Sequence, residues 1–188
     1  MTRPQKKDKP ESKKSWLGVT LLTSILALGG IGAYYFSQTA NNDNLSDDKI
    51  SQRQKDFDTA IKTKVTLEEV KKTELFKAFA IMNLQPSAVK ILQADIQHGK
   101  TKLAWITVWD DLAEDGDIIN IQAGGFNAQI SLMNNPQKIA VPINQGEIKI
   151  VGVADGGGGI TLGFKTTTGA ISLPLIAVGQ TITIPTRK

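Results

Sequence analysis

The spacing of hydrophobic positions divides the chain into three parts. The first is an apolar run without charged residues, from Trp16 to Phe36. A helix needs about 20 apolar residues to cross a hydrocarbon layer of about 30 Å, and aromatic residues at both ends suit the two membrane interfaces. The run therefore predicts one transmembrane helix, an uncleaved signal anchor, over residues 16–36.

The second part has helical spacing and follows a polar linker at 37–49. Apolar residues recur at every fourth position, at Phe57, Ile61 and Val65. Thr66–Glu69 has the pattern of a capping box, and Pro86 cannot continue a helix. We expect a juxtamembrane amphipathic helical segment over 50–85, packed on its own domain or paired with a partner.

The third part, 86–188, alternates apolar and polar residues. The alternating runs include Phe126–Leu132, Ile139–Ile143, Ile160–Phe164, Ile171–Leu175 and Ile182–Ile184. Gly124-Gly125 is typical of a tight hairpin, and the stretch Lys102–Trp109, apolar on both faces, predicts a central strand. The fold class is thus mainly β, an antiparallel β-sandwich of immunoglobulin-like size.

The distribution of charge predicts on which side of a membrane each part of the chain lies. The chain has a net charge of +4, and this excess lies entirely in the basic tail, residues 1–15. Basic residues beside a membrane helix stay cytoplasmic, so we expect the C-terminal part in the periplasm of a bacterial inner-membrane protein. The remainder lacks the basic stripe that a nucleic-acid-binding domain requires.

Small residues in the apolar run suggest helix packing. Gly29 and Ala33 are four positions apart, the spacing that lets membrane helices approach closely. Either a homo-oligomer packs through this pair, or the glycines reflect only the ordinary composition of membrane helices.

Five aspartates are candidate ligands for Ca²⁺, a cation that prefers six to eight oxygen atoms. Four lie between two predicted strands, and the fifth opens a glycine-rich loop: Asp110, Asp111, Asp115, Asp117 and Asp155. Aspartate and glycine also form turns through side-chain contacts to backbone amides. Ca²⁺ binding, turn formation and an acidic patch facing a partner therefore remain open.

The segment Trp109-Asp110 followed by Asp115-Gly116-Asp117 resembles a β-sandwich module of bacterial secreted and envelope proteins. That module carries a W-D-x(4)-D-G-D signature before a glycine-rich loop, and its activity is not settled. The resemblance covers about 108–165, matches three signature acids and implies a compact extracytoplasmic domain. Asp155 departs from it, since such modules more often carry Asn or Glu there.

A second resemblance concerns the N-terminal part. Gly18–Leu22 is similar to the processing site of type IV pilins and pseudopilins. That family usually has a glutamate where this chain has Thr23, and its basic residues usually reach the glycine. The similarity implies a fibre subunit from which residues 1–18 are removed.

Catalysis is not expected. The chain has no cysteine and a single histidine, His98, which lies in a turn-like segment expected between two strands. No serine nucleophile motif accompanies it. We therefore expect a non-enzymatic, membrane-anchored structural or interaction protein that binds other envelope proteins in a secretion, conjugation or phage-related assembly. A Ca²⁺-binding or ligand-binding sensor module and a pseudopilin-like subunit are the alternatives.

Overall fold

The protein is mainly β, with two antiparallel sheets. The computed structural model describes residues 45–62, 64–144 and 146–187. The predicted tail and membrane helix, with Gly29 and Ala33, lie outside them. The elements are α1 (Asp47–Ile61), β1 (Glu68–Glu69), α2 (Leu75–Met82), α3 (Pro86–Gln97), β2 (Leu103–Trp109), β3 (Ile118–Ala123), β4 (Phe126–Ser131), β5 (Gln137–Pro142), β6 (Glu147–Ala154), β7 (Gly163–Thr166), β8 (Gly169–Ser172) and β9 (Thr181–Pro185).

Strand β2 is the centre of the first sheet, as its two apolar faces predict. It pairs with β5 over Leu103–Val108, with β1 at Ala104 and Trp105, and with β7 near its end. Strand β8 pairs with β7 and forms an edge. Residues of β2 point to covered surfaces on both sides, because Leu103, Ala104, Trp105 and Ile106 are all buried.

The second sheet has the order β4-β3-β6-β9. Strands β3 and β4 form the predicted hairpin, with φ of 54° at Gly124 and 83° at Gly125. Only glycine adopts two successive positive φ values at little cost. Strand β3 alternates buried and half-buried residues, so one of its faces is turned to the core.

Buried side chains of both sheets belong to one hydrophobic cluster, and the architecture is consistent with a β-sandwich. Fully buried residues come from each sheet, among them Ile106 and Phe164 from the first and Ile121 and Ile150 from the second. The chain passes between the sheets five times, and two of these crossings run from β2 to β3 and from β6 to β7. Both crossings bear on the acidic site.

The predicted helical segment over 50–85 is wrong at Thr66–Glu69. Thr66–Glu69 does not cap a helix, since Glu68 and Glu69 form β1 and pair with β2. Val65 and Leu67 are buried while Thr66 is exposed, so period-two alternation prevails here. A 3-10 turn at Lys72–Glu74 then leads into α2.

The predicted start of the β region at residue 86 is also wrong, because α3 occupies Pro86–Gln97. Proline ends one helix but is favoured in the first turn of the next, where its missing amide donor costs nothing. His98 is exposed, as expected, but it follows a helix rather than a strand, and its ring nitrogen Nδ1 lies 2.7 Å from Ala94 O.

Backbone hydrogen bonds join the segment after α1 to the end of β9. Val65 N donates to Pro185 O at 2.8 Å, and Arg187 N donates to Val65 O at 3.0 Å, so the segment after α1 lies beside the end of β9.

Within the described ranges, none of the helices is both long and apolar enough for a membrane span.

Candidate metal centre

Three of the five candidate aspartates converge at one end of the two sheets. Asp110 follows directly after β2, and Asp117 comes directly before β3. Asp115 lies in the loop between them. Because β2 and β3 belong to different sheets, the loop that carries the acids is a crossing from one sheet to the other.

The three carboxylates are buried and close together. Their residues are 2 %, 7 % and 0 % exposed for Asp110, Asp115 and Asp117, and each offers an oxygen atom within 4.8 Å of the others. Two negative charges at this separation repel each other by roughly 3–4 kcal/mol at an effective dielectric constant of about 20. The triad, as we call these three residues, therefore gains from a proton or a cation among them.

The loop between β6 and β7 supplies the other wall of the site. Gly156 N donates to Asp117 Oδ1 at 3.1 Å, and Thr161 N donates to Asp117 Oδ2 at 2.9 Å. The Thr161 hydroxyl donates to Asp110 Oδ1 at 2.8 Å. The β2–β3 and β6–β7 crossings are thus joined through the triad.

Thr161 is a site residue that the sequence did not indicate. It is fully buried and contacts two of the three acids. A threonine after a glycine-rich loop carries no motif of its own, and only the meeting of the two loops reveals its role.

Asp111 points away from the triad. Its carboxylate accepts two hydrogen bonds from the Arg53 guanidinium, both 3.0 Å long, from Nη1 to Oδ2 and from Nη2 to Oδ1. Arg53 Nε also donates to Leu173 O at 2.8 Å. Arg53 lies four residues before Phe57 on the buried stripe of α1, a position that offered a sequence signal for a buried cation.

Asp155 lies at the same end of the sheets but serves its own loop. Its Oδ1 accepts hydrogen bonds from Gly157 N at 2.8 Å and Gly159 N at 3.1 Å. This is the turn chemistry that the sequence left open as an alternative. Glu114, the remaining acid of the first loop, is exposed and accepts a hydrogen bond from Asn134 N at 3.0 Å.

Burial raises the pKa of Asp117 from 3.8 to about 7. The negative charges of Asp115 and Asp110 act in the same direction, while the amide donors of Gly156 and Thr161 oppose it. A cation at the triad would reverse this balance, since positive charge favours the ionised carboxylate.

This pKa predicts an unusual dependence of stability on pH when no cation is bound. A carboxyl group whose pKa is raised on folding contributes stability below pH 3.8, and this contribution is lost as the pH rises through about 7. With a chelator present, the wild type should therefore lose unfolding free energy relative to Asp117→Asn as the pH rises from 3.8 to about 7. Urea denaturation at several pH values measures it. A difference that does not vary with pH would contradict the prediction.

Comparison with known proteins identifies no family for this chain. Protein-family models, curated proteins and solved structures all give no match. The function of the site is therefore argued from its own geometry.

Proposed function

We propose that this protein is a non-catalytic, membrane-anchored module of the bacterial envelope whose β-sandwich binds one Ca²⁺ ion at the triad. The observation that carries the proposal is the convergence of three buried carboxylates within 4.8 Å, at the point where two crossings between the sheets meet. Bound there, the cation would hold both loops and both sheets in one arrangement.

The ligand atoms favour a hard cation. All three are carboxylate oxygens, which suit Ca²⁺ or Mg²⁺ better than zinc or copper. Oxygens on opposite sides of a Ca²⁺ ion, each at about 2.4 Å, lie about 4.8 Å apart, so separations within 4.8 Å allow one ion to reach all three acids. Mg²⁺ loses its water reluctantly and is seldom held by an all-protein set of ligands, so a buried carboxylate cluster suits Ca²⁺ better.

The role of the cation is structural in this proposal. The acids are buried, and two of them accept hydrogen bonds from Thr161. A catalytic metal needs a coordination position open to substrate. A buried ion between two loops instead adds its binding free energy to that of folding.

The setting of the module comes from the sequence. The charge-free run Trp16–Phe36 after a basic tail supports an inner-membrane anchor with the immunoglobulin-sized sandwich in the periplasm. We propose a role for the anchored sandwich as a component of an envelope assembly, such as a secretion, conjugation or phage-related machine. The W-D-x(4)-D-G-D resemblance supports the same extracytoplasmic setting.

Calcium titration of the compact unit Thr39–Lys188 tests the proposal. We expect one ion per chain by isothermal calorimetry, with a dissociation constant in the range of about 10⁻⁷ to 10⁻³ M that sensor and extracellular sites span. Asp115→Asn keeps the side-chain shape but removes one negative charge from the triad, and should weaken binding about tenfold or more.

Asp155→Asn is the matched control. It makes the same substitution in the neighbouring loop, where the carboxylate accepts amides of its own turn, and it should leave calcium affinity near that of the wild type. Absence of both binding heat and a calcium-dependent rise in the melting temperature would overturn the proposal. So would a loss of binding in Asp155→Asn that Asp115→Asn does not share.

A further inference from the structure

The most exposed large apolar side chain among the described residues is Phe76, at 88 %. It lies in the first turn of α2. A surface that covered this ring would gain from its burial, because removing apolar area from water is favourable.

Three lysines lie close to Phe76 in the chain. Lys71 and Lys72 precede it, Lys77 follows it, and all three are exposed. Lys72 opens the 3-10 turn that leads into α2, and Phe76 follows in the first turn of that helix. The only acid in this stretch, Glu74, is turned back toward the chain, where its Oε2 accepts Lys71 N at 3.4 Å.

We propose that these four residues, the Phe76 patch (Lys71, Lys72, Phe76 and Lys77), dock the domain onto the surface of a bilayer that contains anionic phospholipid. A phenylalanine ring among lysines combines the two kinds of side chain that hold surface helices at a membrane interface. The ring enters the boundary between headgroups and acyl chains, and the ammonium groups remain at the phosphates.

Charge complementarity favours lipid over a second copy of the chain. In a symmetric dimer through this patch, three lysines of one copy would face three of the other, and like charges brought together oppose association. An anionic lipid surface instead attracts each lysine, by about fivefold in affinity per residue near the surface.

The location of the lipid surface rests on the proposed membrane anchor. From Phe36 to the start of α1 at Asp47, the chain has eleven peptide steps, which reach at most about 40 Å when extended. A domain on so short a tether meets the bilayer at a high effective concentration, so that even a weak patch is occupied.

Vesicle sedimentation with the compact unit Thr39–Lys188 tests the patch without the anchor. This unit contains the whole hydrophobic core of the described residues. The bound fraction should rise several-fold when pure phosphatidylcholine is replaced by a mixture with phosphatidylglycerol, and should fall again with added salt. The measurement is made with excess chelator and again with Ca²⁺. Binding that persists under the chelator separates the patch from the cation site, so failure of either proposal leaves the other standing.

Two variants of the patch have matched controls on the same domain. Phe76→Ser should reduce binding to anionic vesicles about tenfold, whereas Val178→Ser, at a residue 58 % exposed and without neighbouring lysines, should not. Replacing Lys71, Lys72 and Lys77 with glutamine should abolish the dependence on anionic lipid. The same change at three other exposed lysines should preserve it: Lys49, Lys55 and Lys165.

Three outcomes would overturn the inference. The first is binding that does not depend on anionic lipid, and the second is no binding of the wild type at millimolar lipid. The third is a dimer that forms without lipid and is lost in Phe76→Ser, measured by sedimentation velocity. This last result would identify a second copy of the chain as the occupant. Circular dichroism and melting temperatures near those of the wild type establish that each surface variant is folded.

Discussion

Asp111→Ala should lower the free energy of unfolding by about 3–5 kcal/mol, the largest single effect that we expect. The substitution removes the partner of a guanidinium whose side chain is only 10 % exposed. Arg53 would retain its hydrogen bond to Leu173 O but would keep a buried charge without a counter-ion. Urea denaturation of the compact unit measures the effect.

A double substitution that removes both charges distinguishes the contribution of the ion pair to stability from that of side-chain packing. The double variant Arg53→Met, Asp111→Leu removes both charges and should recover much of the lost stability, because an apolar pair of similar volume often substitutes well for a buried ion pair. Lys102→Ala serves as the control, since the Lys102–Glu69 pair is 2.9 Å long but more than half exposed. It should cost less than about 1 kcal/mol. An Asp111→Ala variant within that same range would contradict the prediction.

Gly156→Ala should weaken calcium binding about 10- to 100-fold and lower stability by about 1–3 kcal/mol, although no acid is removed. A Cβ atom at this position would lie 2.7 Å from Asp115 Oδ1 and closer still to the carbonyl oxygen of Asp115. The φ angle of Gly156 is not in the left-handed region, so the cost is one of space alone. The two loops would have to separate, and Asp115 would move relative to the triad.

Gly99→Ala is the control for this substitution. Gly99 has a positive φ of 68° and open space around its Cα, so alanine there should cost about 1 kcal/mol through backbone strain. It should leave calcium affinity unchanged. Calorimetry on both variants distinguishes the cases, and a Gly156→Ala variant with wild-type affinity would show that the cation does not depend on the position of Asp115.

The sequence predicted the β part of the fold well because period-two alternation is a local signal. The central strand β2, the Gly124-Gly125 hairpin and the position of the acids between two strands all follow from spacing within a few residues. The helices were harder to place. The Thr66–Glu69 pattern suited a capping box, but pairing with β2 decided its structure.

The contacts that Arg53 and Thr161 make at the acidic loop could not be predicted, because they connect residues that are far apart in the sequence. Arg53 meets Asp111 across 58 positions, and Thr161 meets Asp110 across 51. The sequence offered five aspartates as candidates, and three of them, Asp110, Asp115 and Asp117, matched the signature acids. The fold brings these three together as the triad, pairs Asp111 with α1 and leaves Asp155 to its own loop.

The hydrogen bonds between Val65 and the end of β9 bring the beginning and the end of the β domain together. Val65 accepts from Arg187 and donates to Pro185, so the two ends of the β domain emerge side by side. A load applied through the N-terminal segment and one applied through the C-terminus would therefore enter at the same corner. The strands between them would not carry that load along their length while these two hydrogen bonds hold.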